Sequence, residues 1–569
     1  MRSFYVSDTE AATGACRSGL TGVFFFSAIM NVLLLTGPFY MLQIYDRVLT
    51  SNSLPTLVAL SALVLVLLGL YGLFDFVRGR LMTRLANNLD LHLADRVYEE
   101  SIRAGPIGES SDPSRDLRTV RQFMASPVAA GLFDVPWLPF YIAVVWLLHP
   151  VLGMIAIAGA LFIVCIAILN GWASRKPSQE ASAMALREDR FVGTSKQNGE
   201  TIKAMGMLGD MQRAFAGLHR ESLASGQKGT DRNAVFAAPT RSIRLILQSA
   251  ILGVGAYLVI TSELSPGAMI AASIIFARAL APVDMAIAQW RGVVAAKQAW
   301  GRLKEALAQR TEATRSVALE PPCQSLAVED LYVGPPGKDR ALVSRVALDL
   351  VAGEGLGIIG ASGCGKSSLL RGLVGAWPVL RGEIRIDGAT PDQWSAEDRG
   401  KFIGYLPQEV YLFDGTVAQN IARFRSDATS EQIVEAAKIA GAHELILQLP
   451  DGYETLLGTG GITLSAGQRQ RVALARALFG EPFLVILDEP NAHIDSAGEQ
   501  ALLTAVDDLR ARGAIVIVVA HRKAAIGRLD KLMLLRDGEP QIFGPKDEVL
   551  KQVAASAYDA EGGLRVVRT

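Results

Sequence analysis

Apolar runs long enough to cross a bilayer crowd the first 290 residues of this chain and then stop. A helix needs about 20 apolar residues to span a hydrocarbon core of about 30 Å. Residues 20–44 and 54–77 form one such pair. Residues 133–148 and 151–172, joined at His149-Pro150, form a second, and 243–261 with 266–288, joined by 262–265, form a third. The sixth run carries Arg278, Pro282 and Asp284, so a re-entrant or juxtamembrane helix is its alternative reading. Six spans in three hairpins is the expected arrangement. The totals agree: half of the 569 residues are hydrophobic, and 56 basic residues balance 56 acidic ones. That profile excludes a fully soluble or disordered chain and gives no support to nucleic-acid binding. Cys16, Cys165, Cys323 and Cys364 lack CxxC or Cys/His spacing, which argues against a disulfide framework or a structural zinc site. The N-terminus has no basic region and small-residue cleavage site, so the first run is expected to stay as an anchor.

The basic residues set the orientation. The turns after spans one, three and five carry only Arg47, whereas the long connections 78–132 and 173–242 hold Arg78, Arg80, Arg84, Arg175 and Lys176. The positive-inside rule places those connections and both termini in the cytoplasm. Leu85, Leu89, Leu93 and Val97 recur every four residues, the spacing of an amphipathic helix. About 30 such residues would reach roughly 45 Å beyond the membrane. The expected domains are a short cytoplasmic N-terminus 1–19, a transmembrane domain 20–300, a polar linker 301–325 ending in Pro321-Pro322, an α/β domain 326–555 and a tail 556–569.

The α/β part carries the chemistry. The apolar strand Leu356-Gly357-Ile358-Ile359 runs into Gly360-Ala361-Ser362-Gly363-Cys364-Gly365-Lys366-Ser367-Ser368 and then a helix. This is a phosphate-binding loop in its confirming strand–loop–helix setting. Its backbone N–H groups can face phosphates, Lys366 can reach the β- and γ-oxygens, and Ser367 can offer a hydroxyl to Mg2+. A second buried-strand run, Phe483-Leu484-Val485-Ile486-Leu487, ends in Asp488-Glu489. An acid there can hold Mg2+, and the next carboxylate can deprotonate an attacking water. Between them, Leu464-Ser465-Ala466-Gly467-Gln468 opens an amphipathic helix whose N-terminus suits an anion, although alone it would read as a plain capped helix.

In this order the motifs resemble the ATP-binding cassette family over about 326–555. Leu464-Ser465-Ala466-Gly467-Gln468 is similar to its LSGGQ signature, with Ala466 in place of the first glycine. Gln408 matches the Q-loop, Asp495 the D-loop acid and His521 the switch histidine. The resemblance implies a P-loop nucleotide-binding domain fused to a six-helix transmembrane domain, a type I exporter half-transporter that homodimerises. Two ATP molecules would lie between head-to-tail cassettes, with Ser465, Gly467 and Gln468 of one copy facing the site of the other and Asp495 among the nucleotide-binding residues. It further implies Glu489, His521 and Gln408 as the catalytic set, with Mg2+ on Ser367, Gln408 and Asp488. Departures accompany the match. An adenine-stacking aromatic is expected near Pro335, where only Tyr332 is close, and Thr459 stands where a glutamate is expected before the signature. His493 reads first as a surface histidine, and Cys364 as a handle for thiol reagents.

Fusion of six spans to a C-terminal cassette resembles exporters. Within them, Gly37-Pro38-Phe39-Tyr40-Met41-Leu42-Gln43-Ile44-Tyr45-Asp46-Arg47-Val48-Leu49 and Leu54-Pro55-Thr56-Leu57 resemble the type I protein secretion permease/ATPases, the PrtD-like group, as does Leu487-Asp488-Glu489-Pro490-Asn491. The short stretch before the first span fits that branch better than leader-cleaving bacteriocin exporters. The implied function is ATP-driven export of an unfolded polypeptide across a bacterial inner membrane. A membrane fusion protein and a TolC-like outer-membrane channel would be its partners, and the cargo would carry an uncleaved C-terminal signal, often with RTX-type repeats. Two rivals are an exporter of lipid, glycolipid or drug, and an ATP-gated regulator, against which Glu489 speaks. Asn31, Gln43, Arg278 and Gln289 are candidates to line a polar path, with a snorkelling Arg278 as the plain alternative.

Overall fold

The computed structural model of the chain describes residues 8–103, 112–308, 319–338, 340–458, 461–491, 496–519 and 523–561. It divides into two compact units, Met1–Arg310 and Thr311–Thr569.

Among the described residues of the first unit, six helices are long and apolar enough to cross a membrane: Arg17–Ser51, Leu54–Ile102, Pro127–Leu148, Pro150–Ala173, Leu208–Ile260 and Pro266–Ala288. All six expected spans are present, and two of them extend far past their apolar runs. Leu54–Arg103 and Leu208–Ile260 are single helices of 50 and 53 residues. At 1.5 Å per residue each exceeds twice the thickness of a hydrocarbon core. Their polar portions are helical because the amphipathic pattern continues: Leu85, Leu89, Leu93 and Val97 are all buried, in one cluster with Leu117, Val120, Leu303 and Leu307.

Proline starts several helices. Ser126 and Ser265 each precede a proline and cap the first turn by accepting from Ala129 N–H and Ala268 N–H. His149 does the same for Val151 N–H ahead of Pro150. Each cap satisfies an N–H that the new helix leaves free, and the proline occupies a position that needs no donor.

The sixth span is the surprise. Weakest in sequence, it is half buried over its most apolar window, whereas the second span is not buried at all there. Small residues at Gly267, Ala268, Ala271, Ala272, Ser273 and Ala279 let neighbours approach closely. Its Asp284 is ion-paired with Arg244, Oδ2 lying 2.7 Å from Nε. The expected linker 301–325 also needs correction at its start. Helix Trp290–Ala308 continues through its first residues, because Ala299, Leu303 and Leu307 bury on Leu117 and Val120 of helix Pro113–Met124.

The second unit holds eleven strands among the described residues: β1 Ser325–Val333, β2 Val343–Val351, β3 Gly355–Ile359, β4 Val379–Ile386, β5 Ile403–Leu406, β6 Gly415–Thr416, β7 Leu456–Leu457, β8 Leu484–Asp488, β9 Ile515–Val519, β10 Lys531–Arg536 and β11 Glu539–Pro545. A six-stranded sheet has the order β11-β10-β3-β9-β8-β5, parallel except for β11 at its edge. The apolar runs of β3, β8 and β9 are continuous because both faces are covered. An antiparallel sheet, β2-β1-β4, packs on one side. Helices Val417–Ile421, Ser430–Ile439, His443–Leu447 and Ala466–Leu478 contribute to a second core.

Candidate functional site

Strand register brings the motifs together. β9 lies between β3 and β8, and its last residue, Val519, pairs with both Ile358 and Asp488. The phosphate loop and the acidic pair therefore leave the same edge of the sheet, at the carboxyl ends of parallel strands where ligands of such folds bind. On the other side of β8, Leu406 of β5 pairs with Leu487. Two residues beyond each, Gln408 and Glu489 meet: the amide Nε2 donates to Glu489 Oε2 at 3.2 Å.

The loop 360–365 is shaped by its glycines. A Cβ on Gly360 would lie 2.3 Å from the Leu535 carbonyl oxygen, so no other residue fits there. Gly363 and Gly365 take positive φ, at 80° and 104°. Helix Lys366–Leu373 follows directly. Its N-terminal N–H groups and positive dipole end make an anion site with the loop. Lys366 is buried and donates from Nζ to the Gly360 and Ala361 carbonyl oxygens, both at 2.9 Å. The ammonium is thus held across the mouth of the loop by acceptors that an incoming phosphate can replace. Ser362 is exposed and Ser368 half-buried in the same turn.

Cys364 departs from expectation. Its thiol is buried in the core beneath the sheet, 2.8 Å from where a Gly360 Cβ would stand. It is no open handle for thiol reagents.

Asp488 is the electrostatic centre. It is 1% exposed, and neither carboxylate oxygen has a hydrogen-bond partner of normal geometry. Burial pushes its pKa up; the nearby Ser367 hydroxyl lowers it, Glu489 raises it, and Arg371 and Lys366 lower it. A buried, unpartnered carboxylate beside a serine hydroxyl is costly by itself and well suited to a hard divalent cation. The oxygen donors of Ser367, Asp488 and Gln408 are of the type Mg2+ takes. Tyr405 on β5 shares this field: burial and then Asp488 raise its pKa.

Glu489 has φ of 50°, the left-handed region, which turns the chain sharply at the end of β8. Such strain in a non-glycine residue gathers at functional sites. The next residue, Pro490, accepts from buried Gln470 Nε2 at 3.3 Å, tying this turn to helix Ala466–Leu478. Ser465 caps that helix with a reciprocal box: its Oγ accepts from Gln468 N–H at 3.3 Å, and Gln468 Oε1 accepts from Ser465 N–H at 2.9 Å. Gly467 lies within the first turn. Among the described residues, no hydrogen bond or ion pair joins 465–468 to the phosphate loop of the same chain. Asp495 and His521, with His493 and Thr459, lie outside the described residues. Tyr332, the aromatic nearest the expected adenine position, has the Arg381 guanidinium 5.3 Å over its ring.

Sequence reasoning misses Arg423. Its half-buried guanidinium donates to the carbonyl oxygens of Arg476 (2.8 Å), Ala477 (2.9 Å), Ile403 (3.1 Å) and Gly400. It clamps the end of the signature helix to β5, the strand that positions Gln408. Burial, with Arg425 and Arg476 nearby, pulls its pKa down to about 10, so it stays charged at neutral pH. No motif marks it, because its partners are backbone atoms distant in sequence.

Comparison with known proteins decides the family. The model "ABC transporter transmembrane region" matches residues 20–283 and the model "ABC transporter" matches 343–492. The type I secretion system ATP-binding protein PrsD of Rhizobium meliloti is 47% identical over 567 residues, covering 99% of this chain and 97% of that one. The chain belongs to the type I secretion ABC transporters. Among other relatives, the cyclolysin secretion/processing ATP-binding protein CyaB of Bordetella pertussis is 27% identical over 536 residues, with 93% of this chain and 75% of that one covered. The leukotoxin translocation ATP-binding protein LktB of Mannheimia glucosida is 27% identical over 540 residues, at 92% and 75% coverage. The fold is similar to that of a bacterial Atm1-family ABC exporter with ATP bound, with a TM-score of 0.79 at 21% identity and coverage of 98% and 100%. This type I secretion transporter is therefore an ATP-binding, ATP-hydrolysing protein embedded in a membrane.

Proposed function

We infer that this transporter exports an unfolded polypeptide across the bacterial inner membrane, as the ATPase of a three-part conduit. The observation that carries the reading is the near-full-length likeness to PrsD, together with relatives named for cyclolysin and leukotoxin export. A membrane fusion protein and a TolC-like channel are the partners, the cargo carries a C-terminal secretion signal of the RTX type, and the cassette faces the cytoplasm.

Gly360, Ser362, Gly363, Cys364, Gly365, Lys366, Ser367 and Ser368 cradle the ATP phosphates with backbone N–H groups, the Lys366 ammonium and hydroxyls. Ser367, Gln408 and Asp488 would hold Mg2+, which when bound neutralises charge on the β- and γ-phosphate oxygens. Glu489 accepts the proton of the attacking water, and Gln408, already hydrogen-bonded to it, fixes the carboxylate's direction. His521 contacts the γ-phosphate. Ser465, Gly467, Gln468 and Asp495 serve the site of a second copy; among the described residues, no hydrogen bond or ion pair joins 465–468 to the chain's own phosphate loop. Hydrolysis then requires a homodimer, because each site is completed by the partner.

The test is the proteome of the culture medium from cells carrying the native chain or Glu489→Gln. One or a few proteins missing from the mutant medium establish secretion and identify the cargo. An unchanged medium, with the transporter expressed, overturns polypeptide export.

A further inference from the structure

A second site of different chemistry lies at the end of the fourth span. Helix Pro150–Ala173 is strongly apolar and ends at Trp172, which is 82% exposed. Helix Arg175–Gln197 continues it and runs against the long helix Leu208–Ile260. Asn170 Nδ2 donates to Asn233 Oδ1 at 3.0 Å, and buried Gly229 packs near the Pro177 carbonyl, so the two stretches are held side by side. Beside this seam runs a groove of about 1170 Å3.

Its lining is graded. Trp172, with Val235 and Phe236, forms the apolar end, and Arg175, Lys176, Lys228 and Arg232 form the charged part. Helical spacing produces the gradient: 228, 232 and 235 share one face, as do 172, 175, 176 and 179. Two carboxylates, Glu180 and Asp231, stand against the four cations. Among the described residues, none of these four cations is in a hydrogen bond or ion pair, and all four are exposed. Elsewhere in the same unit cations are matched, as Arg244 is by Asp284 and Arg302 by Asp116.

We propose that this groove is a binding site for the headgroup of an anionic phospholipid of the leaflet into which the fourth span ends. A phosphate would sit among Arg175, Lys176, Lys228 and Arg232, and its acyl chains would run along Trp172 and the exposed apolar face at Ile168 and Leu169. An interfacial tryptophan directly above a basic cluster is the composition that such a headgroup matches. Each cation near an anionic surface contributes about fivefold in affinity. The site is remote from the phosphate loop in sequence and chemistry and does not depend on the identity of the cargo.

Native mass spectrometry of the purified full-length protein tests it, with phosphatidylglycerol and phosphatidylcholine as probes. The quadruple variant Arg175→Gln, Lys176→Gln, Lys228→Gln, Arg232→Gln should lose retained phosphatidylglycerol by more than about tenfold, with phosphatidylcholine unchanged. A control of equal charge change on the same helices, Arg187→Gln, Lys196→Gln, Arg213→Gln, Arg220→Gln, should stay within about twofold. Trp172→Ala keeps the charges and should lose retention by an intermediate factor. Equal losses in the two quadruple variants, or none in either, overturn the proposal. Displacement of the lipid by millimolar inorganic phosphate would make the groove a free-anion site and overturn it as well. A changed subunit count in the groove variant would identify an interface between copies and likewise overturn it.

Discussion

Gln408 and Glu489 are joined side chain to side chain, 3.2 Å from Nε2 to Oε2, although they follow different strands and lie 81 positions apart. The contact follows from β5 pairing with β8, which sets each residue two steps beyond a paired neighbour. It gives the two residues separable roles. Glu489→Gln should lower ATP turnover by about 10^2–10^4, the usual contribution of a general base, with ATP affinity retained. Gln408→Ala should keep the base and lose its orientation, lowering turnover by about tenfold and raising the Mg2+ concentration required. Steady-state phosphate release across a Mg2+ titration separates them. Turnover in Glu489→Gln within about twofold of the native chain would reject the base assignment.

Asp488 should set opposing demands on stability and function. Its folded pKa is raised above the ordinary 3.8, chiefly by burial. A carboxyl raised on folding contributes stability that is fully present below its unfolded pKa and is lost as pH climbs through the folded value. At pH 7 the nucleotide-free protein therefore carries a penalty that Asp488→Asn should relieve. The expected gain is a rise in Tm at pH 7 without nucleotide. The Tm difference should shrink as pH falls through the folded pKa of Asp488. With Mg2+ and ATP the order should reverse, because the asparagine cannot hold the cation. Differential scanning fluorimetry over pH, with and without Mg2+-ATP, reads both. A variant less stable than the native chain at pH 7 without nucleotide would contradict the argument.

The first, second and third spans are knotted by a charge pair whose arginine is buried and whose aspartate is half-buried. Arg78 Nη1 donates to Asp134 Oδ1 at 2.9 Å and to Ser27 Oγ at 3.2 Å, and Nη2 reaches Asp75 at 3.1 Å. Asn31 donates to Asp134 at 3.0 Å, and the Tyr141 hydroxyl donates to Asn31 Oδ1 at 2.9 Å. Removing Asp134 takes the main carboxylate partner of the buried Arg78 and leaves it Ser27 and the half-exposed Asp75, at a cost approaching that of a broken buried pair, about 3–5 kcal/mol. Asp134→Ala should thus be strongly destabilising, while the apolar replacement Arg78→Met with Asp134→Leu should recover at least about half of the loss. Thermal unfolding of the detergent-solubilised protein measures this. A double variant worse than Asp134→Ala would show that the network has a role apolar packing cannot replace.

The same residue shows where sequence reading stops. Arg78 reads as a basic flank of the second span, and its charge alone supports the orientation argument. That it is 7% exposed depends on Asp134, 56 positions away, which no periodicity reveals. The spans and the phosphate loop are legible because local spacing encodes them: length and apolarity for a helix in lipid, glycines and a lysine for a phosphate. Arg278 and Asp284 weaken the sixth span in sequence, yet Asp284 is matched by Arg244 on the neighbouring helix. Likewise Leu303 and Leu307 look like sparse apolar residues in a polar linker until helix Pro113–Met124 supplies their other half. Buried polar groups and helix ends are decided by partners in space, and a linear pattern holds only one member of each pair.

The end of the first span carries part of the resemblance to the PrtD-like group, and the structure supplies a physical reason for it. Ile44–Val48 forms a π-helical turn, an irregularity that re-aims side chains and gathers at functional sites. Within it, Asp46 Oδ1 accepts from the Gly267 N–H at 2.8 Å and its other oxygen accepts from the Ser265 hydroxyl, so the carboxylate caps the start of the sixth span from a neighbouring helix. A Cβ on Gly267 would lie 2.6 Å from the Leu42 carbonyl oxygen and 2.7 Å from Asp46 Oδ1. Gly267→Ala should therefore push the two turns apart. Asp46→Ala should cost about 1–2 kcal/mol, the worth of a helix cap, and Asp46→Asn, which keeps an acceptor, distinctly less. Hydrogen exchange at the amides of 267–269 is the local readout: both Asp46→Ala and Gly267→Ala should accelerate it, while exchange in β3 and β8 stays as in the native chain. Unchanged protection at 267–269 in Asp46→Ala would mean that Ser265 alone holds the start of the sixth span.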